Sequence, residues 1–388
     1  METSLTIWHT LVLIGAIQGF VLTTFLFLHK TGNSFANRIL AALIFAVSLD
    51  ILLSFLYLSG YIFQVPHLIS LAEPLYLLYG PLLFLYTKTL TSRDYTFSPL
   101  LLLTFLPFAL ELILWLPFYI QSAESKINAY QQLNLSDEAA IEYLFIWLLE
   151  MIYNLALVVL SVRVVQKHGQ KIKDEFSDIS QINLNWLKGL LTATLFLFAA
   201  QLFILFFIVA DASDADIEAS FVFHYVFIAV LFYGVGYMGL RQSSVFREDD
   251  QQINLTSDPE KKEMSKYAKS SLSNDSAEQL SEELQVLMEG KKLYLENGLK
   301  LQDLAQRLSI STNHLSQILN SKLNMSFFDF VNGYRVKEAQ RLLISTEHQH
   351  LTLLAIAFEA GFSSKSAFNK VFKETTGLTP SQFRRQNV

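Results

Sequence analysis

The 388-residue sequence has no cysteine. That excludes disulfides, thiolate metal sites and cysteine nucleophiles. Charge is also scarce: Asp, Glu, Lys and Arg make up 16% of residues, against roughly 25% in an ordinary soluble domain. The shortage falls on one half of the chain. Residues 1–241 hold 11 Lys/Arg and 17 Asp/Glu, mostly between apolar runs, whereas residues 242–388 hold 18 of each sign. The first half also lacks a metal-binding His pair, a nucleophilic Ser elbow and a Gly-rich phosphate loop, so no catalytic site, metal or cofactor is expected. A lipid-soluble half is joined to a water-soluble one.

Spanning a bilayer takes about 20 apolar residues in a helix. Seven stretches meet that length, near 7–29, 39–60, 68–88, 99–120, 141–163, 186–210 and 219–240. The first is read as a retained helix, because METSLTIW has no basic n-region and no small-residue cleavage site follows. Basic residues set the orientation. Lys30, Arg38, Lys88, Arg93, Arg163, Lys167, Lys171, Lys173, Lys188 and Arg241 fall on one side, and Lys126 alone falls on the other. The expectation is a bacterial inner-membrane protein with its N-terminus outside and everything after Arg241 in the cytoplasm.

Several polar groups interrupt the apolar runs: Asp50, Glu73, Glu111, Glu150 and His224. Charge is costly in lipid, so such groups face a bundle interior or a cavity. The four acids are a candidate site for a small signal; interhelical hydrogen bonding is the plainer alternative. The stretch from Ala72 to Pro81 holds an acid, two prolines and a glycine, and predicts a kinked helix. Gly234, Gly236 and Gly239 match a dinucleotide-binding spacing, but without a preceding strand the pattern indicates close helix packing.

Net charge differs by segment: −6 over 1–241, −5 over 242–297 and +5 over 298–388. The last segment therefore has the sign that attracts phosphate. Residues 242–272 are polar and too poor in apolar side chains for a core, and predict a linker. Asn274 and Asp275 then offer N-caps for a helix carrying Leu280, Leu284, Leu287 and Met288, ended by Gly290. Further on, Leu301, Leu304, Ala305 and Leu308 form one apolar stripe. Leu315, Ile318 and Leu319 form another, across a turn in which Ser311 caps the second helix. This is a helix-turn-helix pattern. A second copy runs from Leu353 through the turn Gly361-Phe362-Ser363-Ser364 to Phe368, Val371 and Phe372.

The stretches LQDLAQRLSISTNHLSQILNSKLNMSFFDFVNGYRVKEAQRLL and LTLLAIAFEAGFSSKSAFNKVFKETTGLTPSQFRR resemble the two halves of an AraC/XylS-type DNA-binding domain, over about 280–388. The resemblance departs at Asn324, where that family usually has glycine; asparagine tolerates the left-handed backbone. It implies that Asn313, Ser316 and Gln317 face bases from the first unit, and Ser366, Ala367 and Lys370 from the second. Arg335, Lys365, Lys373 and Arg384 are phosphate candidates. Thr312, Asn313, Ser316, Gln317 and Asn320 also share the helix face opposite Leu315, Ile318 and Leu319, which supports the first of these assignments.

The expected fold is all-α. A seven-transmembrane-helix bundle (1–241) is followed by the linker (242–272) and an AraC-type domain of two helix-turn-helix units (273–388). The expected partners are double-stranded DNA, a lipid bilayer, an unidentified small signal and a second copy of the chain. Two rivals stand beside a membrane-integrated regulator: a transporter or membrane enzyme with an appended DNA-binding domain, and an assembly module that binds no DNA.

Overall fold

The computed structural model describes residues 5–29, 33–92, 98–133, 137–180, 182–209, 214–241 and 274–387. The expected linker over 242–272 lies outside them. Among the described residues the chain is helical, apart from one isolated antiparallel bridge between Phe176 and Lys300. It divides into two compact units. One comprises residues 1–166 with 184–251, the other residues 167–183 with 252–388.

The first unit is built from α1 (Ile7–Leu28), α2 (Ser34–Leu58), α3 (Tyr76–Thr91), α4 (Leu106–Tyr119), α5 (Ala123–Leu133), most of α6 (Asp137–Glu175), α7 (Asn185–Val209) and α8 (Asp214–Arg241). Among the described residues, six helical segments are long and apolar enough to cross a membrane. α2 lies at the centre, packed on α1, α3 and α8, with Leu40, Leu43, Ile44 and Val47 almost wholly buried. By contrast none of the apolar stretch Pro99–Tyr119 is buried. Small residues let α1 approach α2: a Cβ at Gly19 would overlap Ser48 Oγ.

Three expectations need correction. The helix expected over 68–88 is regular only from Tyr76 onward; before it the chain makes 3-10 turns at Pro66–Leu68 and Glu73–Leu75. Pro66 and Pro74 each remove a backbone donor, and Ser70 takes φ 61°. Tyrosines satisfy the irregular backbone: Ser70 N–H donates to Tyr57 Oη at 2.7 Å, and Tyr119 Oη donates to Ser70 O at 2.9 Å. Likewise, the stretch expected as a helix over 99–120 begins with 3-10 structure at Pro99–Phe105, before Pro107 enters the first turn of α4. The fifth expected helix, 141–163, is instead the 39-residue α6, which runs on to Glu175.

The second unit holds α9 (Asn274–Lys291), α10 (Leu301–Arg307), α11 (Thr312–Ser321), α12 (Phe327–Ile344), α13 (Leu353–Glu359), α14 (Lys365–Thr376) and α15 (Pro380–Asn387). α12 is shared between two cores. Its first half gives Phe327, Phe330 and Val331 to a cluster with Leu304, Leu315 and Leu319. The second half gives Val336, Ala339, Leu342 and Leu343 to a cluster with Ile356, Phe362, Phe368 and Phe372. α9 runs through Gly290 to Lys291, one residue beyond its expected end, and the left-handed turn falls on Lys292, φ 48°.

Candidate nucleic-acid interface

Each half of the second unit is a pair of helices joined by a tight turn. In the first, Ser309 takes φ 56° between α10 and α11, and Ser311 Oγ caps α11 by accepting from His314 N–H at 3.1 Å. Leu315, Ile318 and Leu319 point inward and are at most 1% exposed. Asn313, Gln317 and Asn320 stand exposed on the other face, with Ser316 partly exposed. Asn320 Nδ2 donates to Ser316 Oγ at 3.3 Å. Amide side chains on such a face suit adenine edges. Beyond α11, Asn324 takes φ 50°, the left-handed geometry expected of it.

In the second half, the turn depends on Gly361 at φ 87°, where a Cβ would collide with the backbone of Tyr294 and Leu295. Ser364 caps α14, its hydroxyl accepting from Ala367 N–H at 3.2 Å. Phe368 and Phe372 are fully buried, which turns Lys365, Ser366 and Lys370 outward, with Ala367 partly exposed. Lys370 lies 4.0 Å from Glu374 in an exposed pair; such pairs contribute little and yield readily to a stronger anion. Downstream, Thr379 and Gln382 cap α15 reciprocally, through Thr379 N–H to Gln382 Oε1 at 2.9 Å and Gln382 N–H to Thr379 Oγ1 at 3.3 Å.

Of the expected phosphate-facing residues, Lys365 and Lys373 are exposed. Arg384 is half-buried, and one of its terminal nitrogens donates to Leu351 O at 3.1 Å. Arg335 does not reach the surface. It is 1% exposed, and its guanidinium donates to Tyr294 O (2.7 Å), Glu296 O (2.9 Å), Asn332 Oδ1 (3.3 Å), Ser177 O (3.3 Å) and Ser177 Oγ (3.2 Å). Burial pushes its pKa down to about 10, against the raising effect of the nearby Asp178 charge. Every donor points at the protein, so the group ties two loops to α12 and offers nothing to phosphate.

The first unit has a separate polar cluster. Glu73, Glu111 and Glu150 lie near one another, and Asp50 lies near Glu73. Asp50 Oδ2 accepts from Tyr79 Oη at 2.8 Å, and Glu111 Oε1 accepts from Trp115 Nε1 at 3.3 Å. Beside them is a cavity of about 50 Å³ bordered by Tyr76, Tyr79, Asn154, Gln201 and His224. Tyr76 Oη donates to Gln201 Oε1 at 2.9 Å. None of the four acids lines this cavity; Tyr79 connects it to Asp50. Of the lining groups, His224 was legible as a polar residue within an apolar run, whereas Tyr76, Tyr79, Asn154 and Gln201 carried no such signal.

Asn154 is hydrogen-bonded to the first turn of a neighbouring helix. Its Oδ1 accepts from Gly80 N–H at 2.8 Å, while its Nδ2 donates to Tyr76 O at 3.2 Å and to Glu150 O at 3.0 Å. Tyr76 O and Gly80 N–H are the i and i+4 groups of the first turn of α3, so one amide bonds to both ends of that turn. A Cβ at Gly80 would lie 2.7 Å from Asn154 Oδ1, so glycine makes this approach possible.

Comparison with known proteins places the C-terminal part. Residues 304–386 match a family described as Helix-turn-helix domain. The Msm operon regulatory protein of Streptococcus mutans is 33% identical over 90 residues, which is 23% of this chain and 31% of that protein. YfiF, an uncharacterized HTH-type transcriptional regulator of Bacillus subtilis, is 38% identical over 90 residues, covering 23% of this chain and 27% of its own length. The matched stretch spans under a third of either relative. A solved structure of a protein of unknown function from Listeria innocua is 29% identical over 27% of this chain and 95% of that one, with a TM-score of 0.24; so low a score carries no argument. Residues 304–386 thus form a helix-turn-helix domain of the kind found in HTH-type transcriptional regulators.

Proposed function

We propose that this protein is a membrane-integrated, sequence-specific DNA-binding regulator of transcription, embedded in a bacterial inner membrane by seven helices. α11 and α14 read bases in successive major grooves, through Asn313, Ser316 and Gln317 and through Ser366, Ala367 and Lys370. Lys365 and Lys373 hold phosphates, and Arg384 assists through the donor capacity its bond to Leu351 leaves. Asp50, Glu73, Glu111 and Glu150, with the cavity beside them, form the candidate site at which a small signal favours one arrangement of the bundle over another. The N-terminus lies outside and the C-terminal domain in the cytoplasm.

The observation that carries this reading is the pairing, in one chain, of a helix-turn-helix domain with six span-length apolar helices among the described residues. An apolar surface such as that of Pro99–Tyr119 calls for lipid or protein cover. The test is to isolate membranes, cross-link, and map the retained DNA across the genome for wild type, Gln317→Ala and Lys370→Ala. Wild-type membranes should enrich discrete sites. Each variant should relax preference in a different half of the site, by roughly 1–3 kcal/mol for each bidentate hydrogen-bonded pair removed. Equal weakening at every sequence would assign both side chains to phosphates, and no enrichment with wild type would refute the reading.

A further inference from the structure

The segment between α6 and α7 folds with the DNA-binding domain. Ser177 is 1% exposed, and the domain satisfies all its polar atoms. Its N–H donates to Leu299 O at 3.2 Å and its hydroxyl to the same oxygen at 2.7 Å. Its carbonyl accepts from Asn332 Nδ2 at 2.9 Å and from Arg335 at 3.3 Å, and its Oγ accepts from Arg335 at 3.2 Å. Phe176 bridges to Lys300, and the Lys173 ammonium lies 5.6 Å over the Phe328 ring. The nearest of Ser177's partners, Leu299, is 122 residues away in the chain, so this is a docking contact and not a local turn.

The residue after this peg lies against the reading surface. Asp178 Oδ1 accepts from Ser180 N–H at 2.8 Å, and its Oδ2 accepts from the Ser363 hydroxyl. Ser363 lies in the turn that launches α14, one residue before the N-cap Ser364. Recognition helices approach DNA by their N-terminal ends, and helix N-termini favour anions. A carboxylate here stands where a backbone phosphate has to approach.

We infer that the segment 176–178 is a latch of which Asp178 competes with the DNA backbone for the start of α14, so that docking of the latch and binding of DNA exclude one another. This rests on the DNA-binding reading of the domain. Two features fit a release mechanism. The latch follows the end of α6, the same continuous helix whose Asn154 is hydrogen-bonded to α3, so a shift of α6 along its axis is transmitted to Ser177. The electrostatic part rests on one side chain, so removing its charge biases the equilibrium without touching a base-reading residue.

The test uses the full chain in lipid nanodiscs and a pool of 30-base-pair duplexes selected from a random library by wild type and by Asp178→Ala. Asp178→Ala should bind the selected pool about tenfold more tightly than wild type, within the usual range of intramolecular coupling. Asp178→Asn, which keeps an acceptor for Ser363 but loses the charge, should gain in the same direction. A gain in affinity cannot come from misfolding. As a second readout, nitroxides attached through Lys171→Cys and Lys337→Cys, in a chain with no native cysteine, should move apart when the duplex binds. Equal affinities for the three proteins, or a label distance unchanged in the DNA-bound state, would overturn the latch. Failure of every variant to retain any duplex would instead overturn the DNA reading, and the latch with it.

Discussion

At the scale of the residue, Arg335 separates two uses of positive charge. An arginine beside a helix-turn-helix invites assignment to phosphate, yet its place in α12 points inward. Val331, Arg335 and Ala339 lie four residues apart on one buried face. That periodicity was available in the sequence and outweighs the charge. The consequence is measurable. Arg335→Ala leaves the carbonyls of Tyr294, Glu296 and Ser177 short of donors in a buried site, at about 1–3 kcal/mol for each group left unsatisfied. It should lower the thermal midpoint of the C-terminal domain strongly. Lys365→Ala should leave that midpoint nearly unchanged, and reduce the slope of log affinity against log salt by about 1. A normal midpoint for Arg335→Ala with a reduced salt slope would return this residue to the DNA surface. Other residues were legible. Asn324 takes the left-handed turn expected of it, and Gln317 stands exposed opposite Leu315, Ile318 and Leu319, because helical periodicity and turn chemistry are local.

At the scale of the element, partners far along the chain defeated local reading. Apolar length located the helices to within a few residues in α1 and α7, but not the break before α3. That break depends on prolines that remove donors and on tyrosines from other elements that replace them. Asn154 gives no sign in α6 that it bonds to a turn of α3. Those bonds predict that Asn154→Leu lowers the stability of the first unit by about 1–2 kcal/mol, since interhelical hydrogen bonds in membranes contribute about 0.6 kcal/mol each on average. Gly80→Ala should destabilise similarly, because its new methyl group meets the Asn154 oxygen. Denaturation of the reconstituted protein in mixed micelles would measure both. Wild-type stability in both variants would show that the Asn154 amide is dispensable. Nor did composition mark 176–178 as more than a polar loop: the latch is recognisable by what Ser177 meets, and those partners follow more than a hundred residues later.

At the scale of the whole molecule, the proposed function has to reconcile two halves of opposite solvent preference with a DNA target. A DNA-reading domain fused to apolar helices can act only if the chain after Arg241 emerges on the DNA side. The proposed orientation rests on the positive charges: Arg163, Lys167, Lys171, Lys173 and Lys188 surround the segment that carries Ser177, and Arg241 ends α8. The proposed latch has the same requirement: in a membrane-integrated chain, Ser177 and the domain it meets must lie on one face of the bilayer. The measurement that tests this most directly is a pair of topology reporters, one active only in the cytoplasm and one only outside, fused in turn after Ser180 and after Arg241. Both positions should report the cytoplasm, each with the exported reporter silent. An exported reporter active after Arg241 would put the helix-turn-helix domain on the wrong side of the membrane and contradict the account.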